Sequence, residues 1–290
     1  MRTIQVKVIK AFSSNHSGGN PAGVVFNADR LTNVEKQAIA SNLQFPETAF
    51  VSSSQVADYK LEFFTPLKQI PHCGHATIAA FSFLRQAGHI DSNTASKETI
   101  DGIRAIHFNM DKVFMEQSGP VFSPPAETVK ELVAALGIAE ADLYNGLLPT
   151  IANTGNSFLL IPLASEHILK EIQPDMEKLK QISQTNALIG VYPFALTTDA
   201  THAHATARMF GPYYGIDEEA ATGMAAGPLA CFLYVNQLVR KEQIIIEQGR
   251  YMPIPSPSQL IANLSISSDS IASVFVGGSA YVESEMIIHY

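Results

Sequence analysis

The residue with the clearest potential for chemistry is Glu47, which follows Pro46 and opens the apolar segment 48–53. A carboxylate at the start of a strand that borders an apolar cleft loses solvation, and desolvation favours its neutral form. Such a carboxyl group suits proton transfer near neutral pH. An isolated glutamate at a turn is more often a solvated surface residue, so the position of Glu47 alone leaves both interpretations open.

A second group of candidate side chains lies in a short segment where two histidines flank a cysteine. The spacing of His72 and His75, with Cys73 between them, could indicate a metal site, because zinc uses these side chains. Further histidines, His202 and His204, lie far away in a segment rich in threonine and alanine. We therefore predict no metal. His75 is then either an active-site residue or a residue that satisfies a local hydrogen bond at a helix start.

The composition excludes several classes of partner. The chain has 290 residues and a globular composition, which suggests two domains. Its net charge of -8 disfavours nucleic acid and anionic membranes but permits a small anionic metabolite. No segment resembles a signal peptide or a membrane span. With only two cysteines, Cys73 and Cys231, the expected location is the reducing cytoplasm.

Short landmarks recur in the same order in the two halves of the chain. The pairs are Gly19-Asn20-Pro21 with Gly155-Asn156-Ser157, Phe64-Thr65-Pro66 with Phe210-Gly211-Pro212, Gly74-His75-Ala76 with Gly223-Met224-Ala225, and Glu116-Gln117 with Glu247-Gln248. Each pair alone could be coincidence in a chain rich in glycine and alanine, but their common order favours an internal duplication. Duplicated modules usually pack about a pseudo-twofold axis, so we expect the working site in the cleft between the copies.

Hydrophobic periodicity and helix-breaking residues predict a mixed α/β (α+β) chain. The predicted helices are 33–42, 75–87, 126–137, 166–184 and 223–237, and the predicted strands are 4–8, 22–28, 48–53, 60–65, 103–108, 111–116, 158–163, 187–196, 244–249 and 273–282. Three prolines between residues 120 and 125 predict a domain boundary, which gives modules 1–119 and 120–290. The last strand, 273–290, is a candidate to cross back to the first module.

Glycine turns at Gly74 and Gly223 lead into the two most apolar helices. The unpaired N–H groups and partial positive charge of a helix N-terminus attract anions. The two turns therefore predict a cradle for a substrate carboxylate, to which Asn20, Thr77 and Ala225 would add amide or polar contacts. No glycine-rich phosphate-binding motif is present.

Longer strings, which extend over most of the chain, match one family. They are GGNPAGVV (18–25), PETAFVS (46–52), FFTPLKQIPHCGHATIAAFSFL (63–84), ARMFGPYYGIDEEAATGMAAGPLACFLY (207–234), EQG (247–249) and VFVGG (274–278). In these strings the sequence resembles the phenazine-biosynthesis isomerase-like (PhzF-like) family, which is related in fold to diaminopimelate epimerase. The resemblance implies two similar domains, each a rolled β-sheet or barrel around a central helix. It also implies a homodimer and proton transfer without a cofactor.

The resemblance also implies roles for individual residues. Glu47 aligns with the family's general acid/base, and His75 aligns with the histidine that orients the substrate. In the family string Glu-Asp-Pro-Ala-Thr-Gly-Ser, this chain has Glu219 for the aspartate, Ala220 for the proline and Met224 for the serine. We therefore hypothesise a different and more apolar substrate. The predicted catalytic residues are Glu47, His75 and Glu219, and the predicted substrate-binding residues are Asn20, Cys73, Gly74, Thr77, Thr222, Gly223, Met224 and Ala225.

The predicted function is a cofactor-independent isomerase that moves a proton within a small carboxylate-bearing metabolite. One competing function is that of an epimerase or dehydratase of the same fold that uses Cys73 or Thr222, which occupy matching positions in the repeat. A two-thiol racemase is disfavoured because Cys231 lies away from that position. The chain could also be a non-catalytic small-molecule binding protein or a purely structural or interaction protein.

Overall fold

The structure is a computed structural model that describes residues 2–197, 202–267 and 270–290. The chain divides into two compact units. Unit 1 comprises Met1–Glu116 and Gly277–Tyr290, and unit 2 comprises Gln117–Val276. The end of the chain therefore belongs to the same unit as its beginning.

Six α-helices and eighteen strands form in the described residues. The helices are α1 (Asn33–Leu43), α2 (Gly74–Gln86), α3 (Val129–Ala135), α4 (Glu166–Glu171), α5 (Met176–Thr185) and α6 (Gly223–Val235). The strands are β1 (Thr3–Ser13), β2 (Asn20–Val25), β3 (Thr48–Ser52), β4 (Tyr59–Phe64), β5 (Gln69–Ile70), β6 (Thr94–Thr99), β7 (Gly102–Asn109), β8 (Lys112–Gln117), β9 (Val121–Ser123), β10 (Thr150–Asn153), β11 (Ser157–Leu163), β12 (Gly190–Leu196), β13 (Ala205–Ala207), β14 (Met209–Gly211), β15 (Ile216–Glu219), β16 (Gln243–Gln248), β17 (Ser258–Ser267) and β18 (Ser270–His289). None of the helices described is long and apolar enough to cross a membrane.

Unit 1 is a closed sheet around α2. The pairings β1–β2, β3–β4, β6–β7 and β7–β8 are antiparallel, whereas β2–β3 and β4–β6 are parallel. β18 closes the sheet because it pairs with both β1 and β8. Ten of the 13 residues of α2 are buried, as expected for a helix that is apolar on nearly every side.

Unit 2 repeats this order of pairings around α6. The pairings β10–β11, β12–β13 and β16–β17 are antiparallel, whereas β11–β12 and β13–β16 are parallel. This is the same alternation that runs from β1 to β7 in unit 1. Eleven of the 13 residues of α6 are buried. The repeated topology confirms the predicted duplication and the predicted class of two rolled sheets, each with a central helix.

The predicted single helix over 166–184 is wrong, because the chain forms α4 and α5 there. Pro174 lies between them; it lacks an N–H donor and disfavours helical backbone at the residue before it. Each helix has its own N-terminal cap, in which Ser165 and Asp175 accept a backbone N–H of the first turn.

A fully buried lysine, Lys97 of β6, lies beneath the start of α2. Its Nζ donates to Oγ1 of Thr77 over 2.7 Å and lies 3.4 Å from Nδ1 of His72. The ammonium also lies over the ring of Phe63, 5.3 Å from the centroid. Burial lowers the pKa of Lys97 to about 7, because a charged amine is poorly solvated inside the protein.

This environment predicts a pH-dependent contribution of Lys97 to stability. Between about pH 7 and 10.5 the unfolded lysine is protonated while the folded one is neutral, so stability from this residue rises with pH across that window. Lys97→Met removes the contribution. Urea unfolding at several pH values between 6 and 10 should show that wild type gains free energy of unfolding relative to Lys97→Met as pH rises. A constant difference would contradict the prediction, and the exposed Lys130→Met serves as control.

Gly277 of β18 permits a close approach between that strand and β8. A Cβ atom at this position would lie 1.9 Å from the carbonyl oxygen of Val113 and 2.7 Å from Cα of Phe114. We expect Gly277→Ala to lower the free energy of unfolding by about 1–3 kcal/mol or more, because both neighbours are backbone. Gly119→Ala is the matched control, since a Cβ there meets nothing within 4 Å. Equal urea midpoints for the two variants would contradict this expectation.

Candidate active site

The backbone around Glu47 is anchored to the neighbouring parallel strand. The amide of Gly23 in β2 donates to the carbonyl of Glu47 over 3.2 Å, and Gly23 is paired with Thr48, the first residue of β3. A Cβ at Gly23 would lie 3.1 Å from Oγ1 of Thr48, so a larger residue there would require the Thr48 side chain to shift slightly. The Glu47 side chain is only 14% exposed. The carboxyl group is therefore fixed at a strand start and largely removed from water.

Glu47, His75 and Cys73 form a contiguous row of reactive side chains. His75 lies in the first turn of α2, and Cys73 is the residue immediately before that helix. Oε2 of Glu47 is 3.3 Å from Nε2 of His75, and Sγ of Cys73 is 3.6 Å from Nδ1 of the same ring. The imidazole therefore has a carboxyl group at one nitrogen and a thiol at the other.

The protonation of Glu47 is set mainly by burial. Burial raises the pKa of Glu47 to about 7, because the ionised carboxylate loses more solvation than the acid. Oε2 accepts no hydrogen bond from the described residues, although it lies close to the His75 ring. A carboxyl group of this kind exists in both forms near neutral pH and can accept or release a proton.

Two further predicted residues, Gly74 and Thr77, lie at the same helix start, and a third, Asn20, is buried in the neighbouring sheet. Asn20 is buried at the first position of β2, and Gly74 is the first residue of α2. The hydroxyl of Thr77 donates to the carbonyl of Cys73 over 2.7 Å and accepts the bond from Lys97. The Thr77 amide also donates to that carbonyl, over 3.3 Å. The polar groups of Thr77 therefore complete the first turn of α2.

Glu47, Cys73 and His75 also form a set that could hold a metal ion. Their ligand atoms all lie within 4.8 Å of one another, and zinc accepts each of these ligand types. Spacing along the chain brings together only the cysteine and the histidines, because Glu47 is distant in sequence. The structure thus adds a candidate ligand that spacing could not reveal.

The predicted residues of unit 2 form a second group at the start of α6. Glu219 ends β15, and Thr222 is the residue immediately before α6. The Thr222 hydroxyl donates to Oε2 of Glu219. The adjacent Glu218 is used differently, because it forms a two-point ion pair with the buried Arg208 over 2.8 and 2.9 Å. Glu219 is therefore the carboxylate associated with the helix start.

The first turn of α6 contains the remaining predicted residues. Gly223 is buried, and the amide of Ala225 donates to the carbonyl of Thr222 over 3.0 Å, within the helix. The Met224 side chain is only partly buried, and its sulfur lies 3.9 Å from Nδ2 of Asn156. A thioether therefore contacts this asparagine at the position where the family string has serine.

Both central helices begin without a side-chain cap. Neither Cys73 nor Thr222 accepts a backbone N–H of the first turn, whereas Thr32 and Thr128 cap α1 and α3 in full capping boxes. An uncapped N-terminus leaves orphan amide donors. The anion-binding role of Gly74 and Gly223 stays a prediction, and it is compatible with these uncapped starts.

Gln248 contacts the predicted site, although the sequence did not identify it as a site residue. Gln248 bonds to both Glu219 and Thr222, and its remaining contact is the hydroxyl of Tyr192. The Glu247-Gln248 landmark was recognised only as part of the repeat. In both halves of the chain a Glu-Gln pair follows the glycine turn of the central helix, and this recurrence is the only sequence signal that points to Gln248.

Comparison with known proteins identifies the family of this chain. The profile of the family described as phenazine biosynthesis-like protein matches residues 9–286. The uncharacterized isomerase YddE of Escherichia coli (strain K12) is 33% identical, over 85% of this chain and 86% of its own length. The trans-2,3-dihydro-3-hydroxyanthranilate isomerase of Pseudomonas chlororaphis is 31% identical, over 94% of each chain. A crystal structure of a Bacillus anthracis phenazine biosynthesis protein of the PhzF family superimposes with a TM-score of 0.89 at 28% identity, over 100% of both chains. The chain therefore belongs to the phenazine biosynthesis-like (PhzF) family and is an isomerase.

Proposed function

We propose that this isomerase moves a proton within a small carboxylate-bearing metabolite, with Glu47 as the general acid/base. The observation that carries the proposal is the buried Glu47 carboxyl group, whose pKa is raised to about 7 and which lies 3.3 Å from His75. A group poised near the working pH is the most effective proton carrier, since both of its forms are available.

The proposed reaction needs no other reactant. Ionised Glu47 removes a proton from a C–H bond of the substrate, and the electron pair of that bond shifts into the adjacent unsaturated system. The acid form of Glu47 exchanges its proton with solvent and then delivers a proton to a different carbon. His75 orients the substrate, and its Nε2 lies 3.3 Å from Oε2 of Glu47. The reaction is balanced without a cofactor, because one C–H bond breaks and one forms.

The substrate class is proposed from the helix starts and from one relative. The uncapped N-termini at Gly74 and Gly223 suit a carboxylate, and a relative is named for trans-2,3-dihydro-3-hydroxyanthranilate. We propose a related carboxylate, with Glu219 orienting it and Met224 altering its preference towards less polar groups. Binding in the cleft between the two units stays a prediction from the duplication, and assembly as a homodimer stays a prediction from the family resemblance.

We predict that Glu47 controls the pH dependence of proton exchange. Incubation with trans-2,3-dihydro-3-hydroxyanthranilate in deuterium oxide should incorporate deuterium at carbon. The value of kcat/KM should rise as pH increases through about 7, because the base must be ionised. Glu47→Gln should reduce exchange by ~100-fold or more, since general base catalysis contributes about that much. The exposed Glu116→Gln in β8 should behave as wild type.

The same measurement separates the proposed reaction from its competitors. Equal exchange in wild type and Glu47→Gln would exclude Glu47 as the base. Epimerisation through the thiol predicts loss of exchange in Cys73→Ala with little change in Glu47→Gln. A non-catalytic binding protein predicts that the compound binds without exchange and that Glu47→Gln leaves its affinity unchanged.

We also predict that removal of metal ions leaves the exchange rate unchanged. The reaction uses Glu47 as a proton carrier, and the same carboxyl group cannot serve freely as a base while it holds a cation. The measurement is deuterium incorporation before and after dialysis against a chelator. Loss of exchange that added zinc restores would instead assign Glu47, Cys73 and His75 to a metal site.

A further inference from the structure

One amide side chain in unit 2 uses its whole hydrogen-bonding capacity at the start of α6. Gln248 ends β16 and is fully buried. Its Oε1 accepts from the hydroxyl of Tyr192 over 2.8 Å and from the amide of Thr222 over 3.1 Å. Its Nε2 donates to the carbonyl of Glu219 over 2.7 Å and to Oγ1 of Thr222 over 3.0 Å. Two donors and two acceptor sites are all that a glutamine side chain offers.

The direction of every bond in this cluster follows from two backbone groups. The backbone N–H of Thr222 can only donate, so it requires the oxygen of Gln248. The backbone carbonyl of Glu219 can only accept, so it requires the nitrogen. The amide orientation is therefore fixed, and Nε2 donates to the Thr222 hydroxyl. That hydroxyl must then direct its own hydrogen towards the Glu219 carboxylate.

Tyr192 is fixed as a donor at the far end of the same chain of bonds. It is fully buried, and burial, followed by the negative charge of Glu219, raises the pKa of its hydroxyl. Because the Gln248 oxygen can only accept, the phenol hydrogen points to it. The order of donation is thus Tyr192 to Gln248, Gln248 to Thr222, and Thr222 to Glu219.

We propose that Gln248 and Tyr192 are positioning residues that hold Glu219 in its working orientation through the Thr222 hydroxyl. This arrangement commits the hydroxyl of Thr222 to Glu219, so it is not the acid or base of the reaction. Glu219 is kept as a hydrogen-bond acceptor. The proposal deepens the proposed function and rests on it for the kinetic measurement only.

A double-mutant cycle tests whether Gln248 acts through Glu219. Gln248→Met keeps the length of the side chain but removes all four bonds. We expect it to lower kcat for deuterium exchange of trans-2,3-dihydro-3-hydroxyanthranilate by ~10-fold or more with little change in KM, because misplaced groups lose alignment rather than contact. In a Glu219→Gln background the same substitution should change kcat by less than about threefold, since coupled residues are not additive. Equal losses in both backgrounds would overturn the proposal.

Conservative variants and a matched control distinguish a loss of positioning from a loss of folding. Tyr192→Phe removes only the first hydroxyl and should lower kcat in the same direction by a smaller factor. Thr222→Ser should retain activity, whereas Thr222→Val should lose it. Gln243→Met, on the same strand at an exposed position, should leave kcat unchanged.

A spectroscopic measurement decides the proposal even if no exchange is found in wild type. The two side-chain N–H protons of Gln248 should be protected from solvent exchange in NMR spectra, whereas those of the exposed Gln243 should exchange rapidly. Thr222→Val should remove protection from one Gln248 proton and leave it for the second, which bonds to the Glu219 carbonyl. Rapid exchange of both Gln248 protons in wild type would overturn the proposal independently of the reaction.

Discussion

The burial of an apolar helix inside a closed sheet is the constraint on which the rest of unit 1 depends. α2 can be surrounded only if its polar first turn is also taken out of bulk water. The same burial desolvates Glu47, which approaches the helix start from β3, and raises its pKa to about 7. The reactivity of the carboxyl group is therefore a consequence of how the fold closes.

The two units use different side chains to bond to the buried start of the central helix. The strand parallel to β4 in unit 1 is β6, and the strand parallel to β13 in unit 2 is β16. Each of these strands places one buried polar side chain at the start of the central helix. In unit 1 that side chain is Lys97, which bonds to Thr77. In unit 2 it is Gln248, which bonds to Thr222. The duplication therefore supplies one scaffold with a titratable group in one copy and a fixed network in the other.

The parts of the fold that sequence predicted are those with strong local signals. Apolar runs beginning at glycine turns predicted both central helices, and the landmarks predicted the duplication. The polar strand β6 was not predicted, because its residues, TASKET, lack an apolar alternation and Lys97 is buried only in the folded state. The split between α4 and α5 does not show in the amphipathic pattern of 166–184, and Pro174 is its only local signal in that segment.

The candidate site shows the same difference between residues with a local sequence signal and contacts that arise only in the folded chain. Glu47, Cys73 and His75 were identified from the motif, but their mutual distances depend on the pairing of β2 with β3 and could not be read from spacing. The role of Gln248 was invisible because glutamine carries no charge and offers no recognised motif. Only the geometry of four bonds to three residues distinguishes it from any other buried amide.

β18 has a consequence for how the protein is made. Unit 1 needs this strand between β1 and β8 to close its sheet, yet the ribosome delivers β18 only after nearly all of unit 2. At about 5–20 residues per second, synthesis of the intervening unit takes roughly 10–30 s. During that interval the newborn unit 1 has two unpaired strand edges, which are open to association with other chains. The half of the protein that is translated first is therefore the half that is completed last.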